Sequence, residues 1–343
     1  MIDEPRPRIA LTLGDPAGIG TEIAVTAALD PALTAVCQPL LFGSPDVVER
    51  EMRRRDSSIA WSVIAAGDER PARRGEVLVA ATAGSEAVVP YGEISVAGGE
   101  AAVSAVRSAV AATLSGDADA ICTAPLNKES MRLAGYTFDG HTEMLAEFTG
   151  TTDVTMLLIG ERLRVAHLTT HTAIRGVPDK VTPERLRFVI RAAEQMVRLC
   201  GIAAPRIAVA GLNPHAGEHG LFGDEEDVTM RPVIDELRRF GVDVHGPVSG
   251  DAVFIDALNG QWDLVVAAYH DQGHIPVKLI ERDHAVNVTG GLPIIRTSVD
   301  HGTAFDIAGR GTASAVNMKA ALRLAAQLSR IGFGTSNHDR SPS

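Results

Sequence analysis

Residues 181–214 read VTPERLRFVIRAAEQMVRLCGIAAPRIAVAGLNP. Apolar side chains recur at Leu186, Val189, Ile190, Ala193, Met196 and Val197, the spacing of one helical face. Thr182 stands where an N-cap oxygen accepts a backbone hydrogen bond, Pro183 suits the first helical position, and Gly201 marks the stop. The run RIAVAGLNP that follows is a short, wholly apolar strand ending in a polar turn. The same two signals alternate elsewhere. ADAICTAP, RVAHLTT and DLVVAAYH read as buried strands, and TMRPVIDELRRFG and ASAVNMKAALRLAAQLSRIG read as helices. Such alternation predicts an α/β protein with a mainly parallel sheet.

The length, 343 residues, suits about two domains. No linker rich in Pro, Gly and Ser separates them. The weakest stretch is near residues 125–140, around APLNKES and GYTFDGH, and a return crossing near 290–297 would make the first domain discontinuous. The expected division is 1–126 with 296–343 as a cofactor-side domain, and 127–295 as a metal, substrate and dimerisation domain. By composition the tail GTSNHDRSPS reads as disordered.

Charge and composition exclude several classes. A formal net charge of −11 argues against a nucleic-acid binder. No apolar run reaches the roughly 18 residues that span a bilayer, and MIDEPRPRIALTLGD carries no signal-peptide core. Cys37, Cys122 and Cys200 are too few and too scattered for a disulfide framework or a thiolate zinc cluster. A cytoplasmic protein is expected.

Three of the eleven histidines share a context. His171 follows VAHLTT, His215 follows IAVAGLNP and His270 follows DLVVAAY, each at the carboxyl end of a strand, where open α/β sheets gather ligands. Either they converge on one divalent metal, or they are polar strand-end residues satisfied by carbonyls. His167, His245, His284 and His338 have no companion in the sequence. GDPAGIG, residues 14–20, joins the first strand to a helix, and its glycines serve either a ligand or tight packing. Asn127 and Lys128 in TAPLNKES offer an amide and a cation for phosphate. His141 and Thr142 in GHTEML stand at a helix start, another anion-favouring position. Lys278, Asn287 and Arg296 are polar residues in otherwise apolar sequence, which suits a polar ligand or a partner carboxylate. Asp251 and Asp271 are candidates for acid–base work or for orienting an imidazole.

Taken together, LTLGDPAGIGTE, TAPLNK, GHTE, GLNPHAGE, YHDQG and GLPIIRTSVDHGTAFDIAG resemble the 4-hydroxythreonine-4-phosphate dehydrogenase family from residue 11 to about Lys319. The resemblance implies a fold like that of isocitrate and isopropylmalate dehydrogenases. It implies one divalent metal per subunit (zinc, or magnesium, cobalt or manganese) on His171, His215 and His270, with active sites shared across a homodimer. Substrate contacts fall on His141, Thr142, Lys278, Asn287 and Arg296, with Asn127 and Lys128 close by. HGTAFDIAG looks like the adenosine loop of the hydroxyacid dehydrogenases, which puts the cofactor against His301, Gly302, Asp306 and Ile307, with Gly14 and Asp15 nearby. The Asp306 carboxylate would accept from ribose hydroxyls and repel a 2′-phosphate, favouring NAD. Ser314, where the related loop carries Asn, departs from that pattern.

The implied chemistry is oxidation of a hydroxyl β to a carboxylate, then loss of carbon dioxide, with Lys278 or an aspartate as base. YHDQGHIPVK and GLFGDEE look closer to a branch acting on D-threonate or D-erythronate 4-phosphate than to the vitamin B6 enzymes. A relative that oxidises aromatic cis-dihydrodiol carboxylates differs at the GHTE and NK positions, which this chain retains. A phosphate acyltransferase or a silent phosphoacid-binding protein would need neither the DIAG loop nor the three histidines.

Overall fold

The structure, a computed structural model, describes residues 6–55, 59–65, 67, 68, 70, 72, 73, 76–83 and 89–336. Its strands are β1 (Arg8–Thr12), β2 (Gln38–Gly43), β3 (Trp61–Ile64), β4 (Val77–Ala81), β5 (Ala120–Thr123), β6 (Thr155–Ile159), β7 (Arg164–His167), β8 (Ile207–Ala210), β9 (Val244–Val248), β10 (Leu264–Ala267), β11 (Val286–Gly290) and β12 (Arg296–Ser298). Its α-helices are α1 (Gly20–Ala28), α2 (Pro31–Thr34), α3 (Pro45–Arg54), α4 (Val96–Ser115), α5 (Lys128–Leu133), α6 (His141–Thr149), α7 (Pro183–Leu199), α8 (Arg231–Arg239), α9 (Val253–Leu258), α10 (His270–Glu281) and α11 (Val316–Ser336).

The chain forms two units, Met1–Thr152 with Leu292–Ser343, and Asp153–Gly291. In the first, strands run in the order β3–β4–β2–β1–β5–β12 and every pair is parallel. In the second, the order is β11–β6–β7–β10–β8–β9. Here β11–β6 and β6–β7 are antiparallel, and the remaining pairs are parallel. The architecture is therefore α/β with mainly parallel strands. Among the described residues no helix is long and apolar enough to cross a membrane.

Local rules account for the elements. The Thr182 hydroxyl accepts from the Arg185 N–H at 3.2 Å, Pro183 opens α7, and Gly201 follows with φ +95°. The six apolar positions picked out by helical spacing are all buried on this helix. In the first unit, Leu40, Phe42, Leu78 and Ile121 pack with Val103, Val106 and Val110 of α4 and with Met144 and Leu145 of α6. In the second, Leu158, Val165, Ala208 and Val265 pack with Phe254 of α9 and Val277 of α10.

The division of the chain differs from the sequence expectation at the first crossing, while the return crossing falls within the expected stretch 290–297. The expected break after residue 126 falls inside the first unit, because α6 buries Met144 and Leu145 in that unit's core. The return crossing comes at Leu292, which with Ile294 packs against the same core. Helix α11 also runs through Ser336, so the first three residues of the tail are helical; the others, His338 among them, lie outside the described residues.

Parallel pairing sets what lies at the strand ends. The register Arg296↔Ile121 and Ser298↔Thr123 brings the segments after β5 and β12 to one end of the sheet. GDPAGIG leaves β1 at that same end. Gly14 has φ +69°, and a Cβ there would stand 2.3 Å from the Pro125 carbonyl oxygen. Gly99 of α4 is as constrained, since its Cβ would lie 2.1 Å from the Ser130 carbonyl oxygen of α5. We therefore expect Gly99→Ala to cost about 1–3 kcal/mol through overpacking. On the expectation that Lys128 meets the substrate's phosphate, it should also weaken substrate binding, because α5 begins there. Urea unfolding and steady-state kinetics check both effects, and unchanged stability would show that α5 yields freely.

Candidate active site

In the first unit a recess of ≈ 190 Å³ is lined by Thr123, Lys128, His141, Ser298, His301 and Gly302, among others. Asn127 caps α5, its Oδ1 accepting from the Glu129 and Ser130 N–H groups at 2.9 Å each. Lys128 is thereby held at the start of α5, with its side chain exposed. His141 and Thr142 form the first turn of α6, where no side chain caps the free N–H groups. Behind the recess lies Arg296, 2% exposed, whose Nε and Nη2 donate to the Thr123 hydroxyl at 3.3 and 2.8 Å. Burial lowers the Arg296 pKa to about 10, countered by the attraction of Cys122 and Glu143. Burial first, then the charges of Arg296 and Lys128, push His141 down to about 3 despite its bond to the Ala124 carbonyl. A cation, a buried guanidinium and a helix N-terminus thus converge, the arrangement that holds phosphate.

The HGTAFDIAG loop borders the same recess through His301 and Gly302. It is anchored to GDPAGIG, where Ile19 N–H donates to the Thr303 carbonyl at 3.0 Å and a Cβ on Gly18 would meet that oxygen at 2.8 Å. The glycines of GDPAGIG at positions 14 and 18 thus serve close packing. Asp15 is buried, and its Oδ1 accepts from Ala17 N–H at 2.9 Å. Burial raises its pKa against the opposing bonds from Ala17 and Ser130. Asp306 is exposed on the short turn Phe305–Ile307. Beyond it, Ala313 N–H donates to the buried Glu22 at 3.1 Å. The Ser314 hydroxyl accepts a long contact, 3.5 Å, from Val316 N–H.

In the second unit, α10 begins at His270, whose Nδ1 lies 2.7 Å from Asp271 Oδ1. The His171 ring is 6.2 Å from the His270 ring, centre to centre. His215 is not grouped with them, and among the described residues no three His, Cys, Asp or Glu side chains form a metal-holding cluster. It lies in a run of left-handed backbone with Ala216, Glu218 and His219. Glu226, 1% exposed, holds that loop by accepting from Asn213 N–H at 2.7 Å and Asn213 Nδ2 at 3.0 Å. His215 lines its own cavity of ≈ 490 Å³ with Glu218, His219, Arg231 and Ser249. Asp251 accepts from the Ser249 hydroxyl at 2.5 Å, and that bond, with His215 nearby, keeps its carboxyl below the ordinary value. Lys278 is half-buried on α10, and Asn287 on β11 carries an Oδ1 with no hydrogen-bond partner among the described residues.

Two histidines without apparent companions in the sequence do have them. His167 lies 3.1 Å from His274, more than 100 residues away in the chain. Burial first, then the charges of His274 and His270, lower the His167 pKa to about 3. His245 sits 2.7 Å from Asp243 and 5.0 Å from the Trp262 ring centre. Glu226, Thr123, His167 and His274 are the positions that sequence reasoning missed. Only the doubled acid of GDEE and the histidine in QGHIP hinted at them.

This fold is that of the β-decarboxylating dehydrogenases: such an enzyme from Thermococcus kodakarensis superposes with a TM-score of 0.51 at 15% identity over 95% of this chain and 84% of that one, a likeness of fold alone. The chain belongs to the family described as pyridoxal phosphate biosynthetic protein PdxA, whose model matches residues 35–325. It is 45% identical over 323 residues to a D-threonate 4-phosphate dehydrogenase of Cupriavidus necator, covering 94% of this chain and 97% of that protein. A crystal structure of a 4-hydroxythreonine-4-phosphate dehydrogenase from Klebsiella pneumoniae superposes with a TM-score of 0.85 at 42% identity, covering 94% and 99% of the two chains. A terephthalate 1,2-cis-dihydrodiol dehydrogenase from Burkholderia xenovorans gives 0.69 at 34% identity, covering 94% and 98%.

The depressed histidines carry a pH signature. His141 and His167 bind protons near pH 3 when folded and near 6.5 when unfolded. Between those values the unfolded chain holds more protons, so stability rises with pH through the window and is lost as pH falls. His141→Gln removes one such group, so its stability should drop less than that of the wild type between about pH 7.5 and pH 5. Urea midpoints at the two pH values measure this. An equal drop in both proteins would mean that His141 is not held neutral.

Proposed function

We propose that the protein is an NAD-dependent dehydrogenase of a phosphorylated hydroxy acid, with D-threonate 4-phosphate as the preferred substrate. The observation that carries this reading is the recess where Lys128, the first turn of α6 and buried Arg296 converge. Similarity to the Cupriavidus protein favours the D-threonate compound. The Klebsiella structure keeps 4-hydroxythreonine 4-phosphate as the second reading.

In the first unit, the phosphate takes the N–H groups of His141 and Thr142 together with the Lys128 ammonium, and Asn127 holds the start of α5 in place. The adenosine of the cofactor lies along His301, Gly302, Asp306 and Ile307, beside Gly14 and Asp15. The exposed Asp306 carboxylate receives ribose hydroxyls and repels a 2′-phosphate.

In the second unit, His171, His215 and His270 would hold one divalent metal, zinc or a similar ion. The donor chemistry fits. A carboxylate only accepts, so Asp271 takes the Nδ1 hydrogen of His270 and leaves Nε2 as the lone pair a metal needs. Two of the three rings approach each other and His215 does not, which supports a site completed in a homodimer. Bound there, the ion supplies Lewis acidity for removal of the hydroxyl proton and for loss of carbon dioxide. Asp271 bonds to His270 and Asp251 to Ser249. Lys278 would move the proton and Asn287 would orient the carboxylate end, while in the first unit Arg296 would orient the phosphate end.

Removing the substrate's phosphate should lower kcat/KM on the order of a thousandfold, because the dianion's contacts are lost in the transition state. His141→Ala should harm the phosphorylated acid much more than the bare one. Equal rates on both acids would refute the phosphate assignment and favour a dihydrodiol carboxylate substrate. Asp306→Ala should narrow the preference for NAD over NADP, measured as the ratio of kcat/KM values. A wild type that already prefers NADP would displace the adenosine loop from this position.

A further inference from the structure

Asp271 fixes one side of the His270 ring, and a second contact fixes its face. One helical turn on, the His274 ring lies flat against it, with centres 3.7 Å apart and planes 14° from parallel. Nδ1 of His274 is 3.1 Å from Nε2 of His167 and 3.2 Å from the His270 carbonyl oxygen. Nδ1 of His167 is in turn 3.1 Å from the Met156 carbonyl oxygen on β6. His167 has no exposed surface and His274 is buried. The three rings and the strand therefore form one continuous chain of contacts.

The hydrogen positions follow from the end of that chain. A carbonyl oxygen only accepts, so Nδ1 of His167 carries the hydrogen and its Nε2 carries the lone pair. His274 must then donate from Nδ1. Rotating the His274 ring would forfeit that bond in a site closed to water, where an unmet acceptor is costly. Gly273 preserves the arrangement, because a Cβ there would stand 2.4 Å from His167 Nε2 and 2.7 Å from Val165. The geometry of His274 is thus set by the sheet through His167, and His274 presents a fixed face to His270.

We infer that His167 and His274 are positioning residues that hold the His270 imidazole in one orientation before a divalent metal arrives. This rests on the reading of His270 as a metal ligand. Neither residue touches the reacting atoms. Outer partners of this kind raise metal affinity because the ligand ring is already ordered when the ion binds.

The test titrates the metal-depleted, NAD-free protein with zinc against a chromophoric chelator. His274→Leu should weaken the zinc Kd by roughly tenfold to a hundredfold, and His167→Leu should weaken it in the same direction. His167→Gln offers a side-chain carbonyl that accepts from His274, and it should restore the Kd to within about threefold of the wild type. A merely structural role would lower Tm without moving the Kd of the folded protein. In the metal-free wild type, two-bond proton–nitrogen spectra should show both His167 and His274 with the hydrogen on Nδ1, a readout that needs no variant to fold. A hydrogen on Nε2 of His274, or an unchanged Kd in folded His274→Leu, overturns the inference. His270→Ala separates the two levels. If it loses zinc while His274→Leu keeps it, only the positioning role falls. If the wild type takes up no zinc, or His270→Ala binds it as tightly, the ligand reading falls and this inference with it.

Discussion

Arg296 places a guanidinium on β12, 2% exposed, with the Thr123 hydroxyl as a hydrogen-bond partner. Desolvating such a charge costs several kcal/mol unless opposite charge answers it. Glu143 on α6 contributes attraction. The same field acts in reverse on its neighbours, and His141, also on α6, is held neutral beside it. Strand register enforces the arrangement, since Arg296 lies opposite Ile121 and Thr123 lies opposite Ser298. The backbone that carries the cation cannot shift without breaking a parallel pair. The strand ends of the first unit are thus built around a buried cation, and on the proposed reading an anionic ligand would meet it there.

The second unit meets a different constraint, the cost of left-handed backbone and buried imidazoles. His215, Ala216, Glu218 and His219 all have positive φ, each costing of order 1 kcal/mol or more. The buried Glu226 carboxylate holds the loop by gathering Asn213 through both its backbone and its side chain. Strain of this sort persists where the surroundings over-determine it. It keeps His215 in the lining of its cavity. His167 and His274 solve the related problem of polar rings in a core by satisfying each other.

Much of this was legible in the chain itself. Helix α7 could be read to its caps, because Thr182, Pro183 and Gly201 act through contacts a few residues long. The buried strands β5, β7, β8 and β10 announced themselves as short apolar runs for the same reason. The first domain crossing was not legible, since Met144 and Leu145 on α6 join that unit's core only after folding. Nor could His167 be matched to His274, whose pairing spans a helix and two strands. The strand-end rule located His171 and His270 near each other, yet it carried no information on where the strained loop would aim His215.

The protein's overall charge sharpens the role of the recess. A chain of net charge −11 repels a phosphorylated acid at long range, so attraction must come from a local field that solvent does not screen. Buried Arg296 and the start of α6 supply such a field. His141 adds a chemical filter. Its Nε2 has no partner among the described residues, and one ring nitrogen donates to the Ala124 carbonyl, so Nδ1 carries the hydrogen and Nε2 the lone pair. A carboxylate ligand would set its own lone pairs against that nitrogen. A phosphate differs, because its second pKa near 6 lets it carry a hydrogen of its own to the ring. Burial first, and then the charge of Arg296, keep the ring unprotonated in the free protein. On the proposed reading, the His141 Nε2 lone pair can accept from a monoprotonated phosphate, a contact that a fully ionised carboxylate cannot make.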